Sequence, residues 1–251
     1  MPIALLPAVA FGLLIGSFLN VVAYRLPRRE SLVTPGSHCP TCETAVKPYD
    51  NIPILSWLLL GGRCRGCSAP IARRYPLVEA LTAVLFGAVA LVHLHDAASL
   101  VLGIVLVAFL VPIALIDLDH KLIPNRLTAP AAILAIVLGT ALDPGGEVER
   151  LIAGAAAGAA LALPSLLHPR GMGMGDAKLV AVLGLFLGAA VVPAFFIALL
   201  AGTLVGVVVL ARMGLSAGRR TPIPFGPFLA LGGVVGVLAG NELVALYLRT
   251  F

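Results

Sequence analysis

Residues 100–116, LVLGIVLVAFLVPIALI, form an apolar run without a single charge, and Asp117 follows this run directly. A run of this length can cross the hydrocarbon core of a bilayer as one helix. Seven further apolar runs occur, at residues 3–24, 77–93, 127–142, 151–167, 177–190, 191–211 and 225–248. With 60% hydrophobic and 12% charged residues, the chain has too little polar surface for a water-soluble domain of 251 residues. The sequence therefore predicts an all-α polytopic membrane protein with about eight transmembrane helices.

The basic residues predict how these helices are oriented, because Lys and Arg in short loops are retained on the cytoplasmic side. If the N-terminus is outside, the inner loops are residues 25–76, 117–126, 168–178 and 212–224. These loops hold all but two of the 17 basic residues: Arg25, Arg28, Arg29, Lys47, Arg63, Arg65, Arg73, Arg74, Lys121, Arg126, Arg170, Lys178, Arg212, Arg219 and Arg220. Only Arg150 and Arg249 fall elsewhere. Topology thus explains the net charge of +5, which requires no nucleic-acid partner.

The longest polar loop, residues 25–76, holds all four cysteines of the chain. Cys39-Pro-Thr-Cys42 and Cys64-Arg-Gly-Cys67 are two C-x-x-C knuckles, which can deliver four thiolates to one tetrahedral Zn²⁺. Two disulfides or four free thiols are the alternatives, and the reducing cytoplasm expected here disfavours disulfides. We predict a structural zinc site in a cytoplasmic zinc-ribbon-like loop between helices 1 and 2. Trp57, between the knuckles, predicts either contact with the membrane surface or a small core packed on the knuckles.

Two acids at the membrane edge are the candidate catalytic residues. Asp117 follows the third apolar run and Asp176 opens the sixth, so the predicted topology places both at the inner face. An acid at such a position is costly, which makes a functional role the default hypothesis. Two carboxyl groups with different proton affinities could hydrolyse a peptide bond, one activating water and the other donating a proton to the carbonyl oxygen. The positive end of a helix dipole and nearby Lys178 favour Asp176 as the resting base, while the negative end of a helix dipole and the apolar approach favour Asp117 as the resting acid.

Three alternatives bear on these acids. Asp119 is a rival for the place of Asp117, although it should point from another helix face and lie nearer to water. The run Gly171-Met-Gly-Met-Gly175 invites a nucleotide-binding interpretation, but no predicted strand precedes it. We expect its glycines to permit close approach of another chain or helix and to take left-handed conformations. A proton-coupled transporter with Asp117 and Asp176 as a relay is a second functional hypothesis, yet a relay needs acids distributed across the membrane depth.

Six motifs, in order along nearly the whole chain, resemble those of the bacterial prepilin peptidases. They are Gly16-Ser-Phe-Leu-Asn20-Val-Val-Ala-Tyr24-Arg-Leu-Pro27, the two C-x-x-C knuckles, Tyr75-Pro-Leu-Val-Glu79, Ile116-Asp117-Leu-Asp119 with Ile123-Pro-Asn125, Gly173-Met-Gly175-Asp176-Ala-Lys178, and Pro222-Ile-Pro-Phe-Gly-Pro-Phe228.

The resemblance implies an aspartyl endopeptidase of the cytoplasmic (inner) membrane that removes the basic leader from type IV prepilins or from the pseudopilins of type II secretion. By the family's motifs, Asp117 and Asp176 would be catalytic. Many members also methylate the new N-terminus with S-adenosylmethionine, a function associated with the cysteine-bearing N-terminal part. No cofactor fingerprint for it is recognisable in the sequence. Asn20 and Glu79 are candidates for polar contacts between helices or with a methyl-transfer substrate.

The domains we predict are a first transmembrane helix at residues 1–24, the zinc-binding loop domain at 25–76 and a membrane peptidase domain at 77–251. Prepilin or pseudopilin substrates and the lipid bilayer are the expected partners. The sequence leaves the oligomeric state open.

Overall fold

A computed structural model of the protein describes residues 2–167, 173–214 and 221–250, with side chains from residue 5 onward in the first helix. Arg170, Gly171, Arg219 and Arg220, which the sequence analysis places in inner loops, lie outside these described residues. The helices are α1 (Pro2–Arg25), the short α2 (Leu55–Leu59), α3 (Arg74–Val92), α4 (Ala97–His120), α5 (Asn125–Leu142), α6 (Glu147–Leu167), α7 (Met174–Leu187), α8 (Val191–Met213) and α9 (Gly226–Thr250). Two isolated bridges, His38 with Ala45 and Arg63 with Pro70, are the only extended pairing in the described ranges.

The predicted all-α membrane fold is confirmed, because each of the eight apolar runs corresponds to a long helix. Among the described residues, seven segments are long and apolar enough to cross a membrane, and α7 and α8 are counted there as the single segment Met174–Met213. Helix α7 has 14 residues, which at 1.5 Å per residue gives a length of about 21 Å. A hydrocarbon core is about 30 Å thick, so α7 is short for a span of its own.

Helix α4 continues one turn beyond its apolar run. Its start is capped by Asp96, whose carboxylate accepts the backbone N–H groups of Ala98 and Ser99. At its end, Lys121 takes a left-handed conformation (φ 54°), and its N–H donates to the carbonyl oxygen of Asp117 over 2.8 Å. A left-handed residue cannot continue an α-helix, so α4 stops there. Asp117 therefore lies inside the last turn of α4 and not after it.

The chain divides into two compact units, Met1–Leu91 and Val92–Phe251, called unit 1 and unit 2 below. In unit 1, α1 and α3 pack through small residues, as membrane helices commonly do. A Cβ atom added at Gly12 would lie 2.6 Å from the Cα of Ala83. The rings of Phe11 and Phe86 lie 5.9 Å apart beside this close approach.

In unit 2, successive helices from α4 to α9 reverse direction. Gly154 of α6 abuts Gly184 of α7, and Gly158 lies nearer the start of α7, beside Ala181. In the same way, Gly202 in the middle of α8 lies beside Phe225, just before α9, while Ala190, just before α8, meets Gly240 in the second half of α9. The end of α4 and the starts of α5, α7 and α9 consequently meet at one end of unit 2, which we call the site end.

At the opposite end of unit 2, the buried side chain of Arg150 connects α6 to the end of α5 and to the turn between them. Its guanidinium donates to Asp143 over 2.6 Å, to Glu147 over 3.0 Å and to the carbonyl oxygen of Gly139 over 3.2 Å. The hydrogen bond from Arg150 lowers the pKa of Asp143. Arg150, one of the two basic residues outside the predicted inner loops, is therefore paired with two nearby acids.

Candidate active site

Asp117 is a buried carboxylate, with 5% of its surface exposed, in the last turn of α4. Its Oδ2 atom accepts the backbone N–H of Gly226 over 2.8 Å, and Gly226 is the first residue of α9. A Cβ atom at position 226 would lie 2.7 Å from that same oxygen. Glycine is therefore required there, because any side chain would displace the carboxylate from its hydrogen bond.

Asp176 lies in the first turn of α7 and is half-buried. It is close enough to Asp117 for the charges of the two carboxyl groups to interact. The start of α7 is held at this place by the turn between α4 and α5. A Cβ atom on Gly175 would lie 3.1 Å from the Cβ of Ile123, and the Nζ of Lys178 donates to the Oδ1 of Asn125 over 3.0 Å. The structure thus brings together the two acids that the sequence analysis paired.

Asp119, the rival of Asp117, lies on the exposed side of the same helix end, as does His120. A two-residue step along a helix turns the side chain to another face, so the two aspartates cannot both face α7 and α9. Geometry thus favours Asp117 as the partner of Asp176.

Gly226 is the site residue that sequence reasoning missed. It contacts Asp117 across 109 positions of chain, and no local pattern reveals such a contact. The available signal was the segment Pro222–Phe228, where a glycine stands between prolines at the start of an apolar run. The glycines before Asp176 act as expected in one respect, because Gly175 permits close approach. Gly173, however, has a φ of −74°, so it is not left-handed.

The four cysteines converge in unit 1, with all four Sγ atoms within 4.8 Å of one another. The Sγ atoms of Cys39 and Cys67 are 3.8 Å apart, and those of Cys42 and Cys64 are 3.9 Å apart. Zn–S bonds of about 2.3 Å in a tetrahedron require S···S distances of about 3.8 Å. All four cysteines are free, which excludes the disulfide alternative. The donor set therefore fits a four-coordinate metal site without an open position for chemistry.

The knuckle backbones favour thiolates. The N–H of Gly66 points at the Sγ of Cys64 over 3.4 Å. Hydrogen bonds from the backbone N–H groups of Thr41 and Cys42 lower the pKa of Cys39 to about 6. A thiolate is the form that binds a metal ion, so the loop is prepared for one.

Trp57 packs within the loop. Its indole N–H donates to the carbonyl oxygen of Ile71 over 3.1 Å, and its ring lies against Gly62. Leu58 and Leu59 of the same short helix are 61% and 76% exposed. The tryptophan thus belongs to a small core beside the knuckles, while the leucines form an exposed apolar surface.

Asn20 and Glu79 make contacts between elements of unit 1. The amide of Asn20 donates to the carbonyl oxygen of Tyr75 over 3.1 Å. The Oε2 of Glu79 accepts the backbone N–H of Ile54 over 2.7 Å. Both side chains are buried, and they tie α1 and α3 to each other and to the loop.

Comparison with known proteins shows to which family the chain belongs. Residues 10–93 match the Bacterial Peptidase A24 N-terminal domain, and residues 104–209 match the Type IV leader peptidase family. Proteins named prepilin leader peptidase/N-methyltransferase are 40% identical in Aeromonas hydrophila and 36% identical in Pseudomonas aeruginosa, each over 96% of this chain and 92% of the relative. The Myxococcus xanthus protein of the same name is 41% identical over 84% of this chain and 64% of its own length. No solved structure matches the chain. By this similarity over nearly its full length, the chain belongs to the prepilin leader peptidase/N-methyltransferase family.

Proposed function

We propose that this protein cleaves the leader peptide from prepilins or pseudopilins and then N-methylates the new amino terminus. The observation that carries the peptidase half is that Asp117 and Asp176 both lie at the site end of unit 2, near enough for their charges to interact. Two adjacent carboxyl groups can share one proton, which provides a base and an acid at the same place.

Asp117 is the better resting base of the pair. Its hydrogen bond from Gly226 favours the charged form, and a hydrogen bond to a charged group contributes about 1.5–3 kcal/mol. Asp176 has the helix dipole at the start of α7, about 0.3–1 kcal/mol, and a backbone hydrogen bond from Gly173, but the negative charge of Asp117 opposes its ionisation, so we assign the resting proton to Asp176. This assignment reverses the roles expected from the sequence alone, an expectation that took no account of Gly226.

In the proposed reaction, the charged Asp117 removes a proton from a water molecule, whose oxygen attacks the carbonyl carbon of the scissile bond. Asp176 donates its proton to the carbonyl oxygen, and a tetrahedral intermediate forms. The intermediate collapses when the C–N bond breaks and the leaving nitrogen receives a proton from Asp117. A hydroxyl group of the intermediate returns a proton to Asp176 as the new carboxyl group forms, so each aspartate accepts one proton and donates one, and the pair returns to its starting state.

The inner membrane face is the proposed location of this chemistry. The basic residues of the inner loops place the N-terminus outside and the site end at the cytoplasmic surface. A prepilin with a basic leader inside and an apolar helix in the bilayer would present its scissile bond at that level.

The methyl-transfer half is assigned to unit 1, where the family's N-terminal domain matches. S-adenosylmethionine would supply an activated methyl group. The mature N-terminus would accept that methyl group as a neutral amine and would then release one proton to water. Zinc on Cys39, Cys42, Cys64 and Cys67 is proposed as a structural ion of this unit.

A proton relay receives no support from the placement of acids. In the described part of unit 2, every acid except Glu242 lies near a helix end, and Glu242, in the second half of α9, is a single group. A relay across the bilayer needs groups spread through its depth.

Separate Asp117→Asn and Asp176→Asn variants test the peptidase, with prepilin processing by purified protein followed by mass spectrometry. Each change should reduce cleavage by about 10³-fold or more, because a carboxamide can neither accept nor donate the required proton. Asp119→Asn is the matched control and should retain cleavage. Full processing by both Asn variants would exclude the dyad, and loss of cleavage in Asp119→Asn alone would reassign it.

A further inference from the structure

A cavity of about 250 Å³ lies in unit 1 between α1 and the loop that follows it. Leu14, Phe18 and Val21 line it from α1, and Val33, Gly36 and Pro53 line it from the loop. It therefore has mainly apolar walls with one aromatic ring. Small-molecule sites typically combine such walls with a few placed polar groups.

The polar group that distinguishes this cavity is Arg25, which lines it with only 8% of its surface exposed. One terminal nitrogen donates to the carbonyl oxygens of Ser31 and Pro35 over 3.0 and 2.7 Å, and the other donates to Gly36 over 3.3 Å. Among the described residues, Arg25 forms no salt bridge, and its Nε atom makes no hydrogen bond. Since no buried polar side-chain atom lacks a partner, that nitrogen is accessible.

Arg25 is consequently a buried cation with carbonyl partners but no counter-ion. Burial of a charge without an opposite charge is unfavourable, so an anionic group that enters the cavity would be stabilised there. The Nε atom and the adjacent terminal nitrogen form one edge of the planar guanidinium. That edge matches the two oxygens of a carboxylate.

We infer that this cavity binds S-adenosylmethionine, with the carboxylate of the ligand on Arg25 and its apolar part against the wall of α1. The inference rests on the proposed methyltransferase function, since that activity requires a ligand that carries both a carboxylate and a large aromatic group. Phe18 offers a ring face to the latter. The cavity lies in the unit that matches the family's N-terminal domain.

Two variants test the site by different means. Arg25→Gln removes the charge, and Gly36→Phe adds a large ring at a residue that lines the cavity, where a Cβ atom meets no heavy atom within 4 Å. Arg29→Gln, at an exposed arginine of the same loop, is the control for the first variant. Gly206→Phe is the control for the second, at a glycine of α8 with equally open surroundings.

The measurements are equilibrium dialysis of full-length protein with radiolabelled S-adenosylmethionine, and mass spectrometry of processed prepilin for cleavage and methylation. Bound zinc and prepilin cleavage report that each variant is folded. We expect both site variants to bind the ligand about 10- to 100-fold more weakly and to lose methylation, while both controls behave as the unaltered protein.

Three results would overturn the inference. Ligand binding and methylation at the unaltered level in both site variants would exclude the cavity while leaving the methyltransferase function intact. Lost methylation with unaltered ligand binding in both would assign the cavity to the methyl acceptor instead. Failure of the unaltered, zinc-loaded and cleaving protein to bind the ligand or to methylate would refute the proposed methyltransferase function itself.

Discussion

Asp117 is held by a backbone N–H group, so its orientation depends on the path of α9 and not on a second side chain. A backbone donor at a helix start is fixed by the helix and cannot rotate away. The carboxylate is therefore positioned before a substrate arrives, which is the condition under which a base acts most effectively.

Gly226→Ala should reduce prepilin cleavage by about 10- to 100-fold, because the new methyl group would occupy the position of the Asp117 carboxylate. The measurement is kcat/KM on a purified prepilin. Gly206→Ala, where a Cβ atom meets nothing within 4 Å, is the matched control and should be neutral. Unchanged kcat/KM in Gly226→Ala would show that Asp117 does not need this hydrogen bond.

At the scale of elements, hydrophobic runs located the eight long helices but not their ends. The run before Asp117 ends at residue 116, whereas α4 continues to His120 because a left-handed Lys121 closes it. The start of α6 precedes its predicted start at residue 151, because the helix begins directly after the turn Pro144–Gly146. Helix ends are set by capping and turn geometry, which the apolar pattern does not encode.

The candidate site was only partly predictable from the sequence, because some of its contacts arise only in the folded protein. Asp117 and Asp176 are visible in the sequence because acids are conspicuous next to apolar runs. Gly226 is not, because a glycine acquires its role only through a contact that the tertiary fold creates. The same holds for Arg25, whose buried and unpaired charge becomes apparent only when the loop carbonyl groups are in place.

The turn between α5 and α6 should be sensitive to the loss of Arg150. Arg150→Met leaves the buried Glu147 and the half-exposed Asp143 without their cation, and we expect a cost of about 1–2 kcal/mol. Thermal unfolding in detergent at pH 7 should show a lower Tm. Arg249→Met, at an exposed residue, is the control.

The Tm difference between the unaltered protein and Arg150→Met should become smaller at low pH. Arg150 lowers the pKa of Asp143 in the folded protein, so the ion pair contributes stability above the ordinary aspartate pKa of about 3.9. That contribution is lost as the pH falls through the lower folded-state value. The Tm difference between the unaltered protein and Arg150→Met should stay constant from pH 7 to 5 and shrink below about pH 4. A difference that grows on acidification would contradict the assignment.

At the scale of the whole molecule, the two compact units predict that zinc removal acts on one of them. The cysteine site lies within unit 1, and unit 2 contains no cysteine. Purified protein should carry about one zinc ion per chain, and strong chelation should lower the Tm and expose four reactive thiols. Helical content measured by circular dichroism should remain, because the long helices do not depend on the ion. Cys64→Ser should reproduce the effect without a chelator, and a Tm insensitive to both treatments would refute a structural role for zinc.

The number of membrane crossings decides on which side the chain ends. Helices α7 and α8 together form one apolar segment of 40 residues, and if that segment crossed once, the total would be seven and the two termini would lie on opposite sides. In unit 2, however, α7 runs parallel to α9, with Leu183 beside Gly233 and Leu187 beside Gly236, whereas α8 runs antiparallel to α9. Helices α7 and α8 therefore run in opposite directions, and we predict two separate passes. Eight passes return the C-terminus to the side of the N-terminus, which the basic loops place outside.

Alkaline phosphatase fused after residues 95, 145 and 250 should therefore be active, and fusions after residues 45, 122 and 214 should be inactive. Activity at 95, 145 and 214 without activity at 250 would mean that the segment Met174–Met213 crosses the bilayer only once and that the 14 residues of α7 do not form a pass of their own.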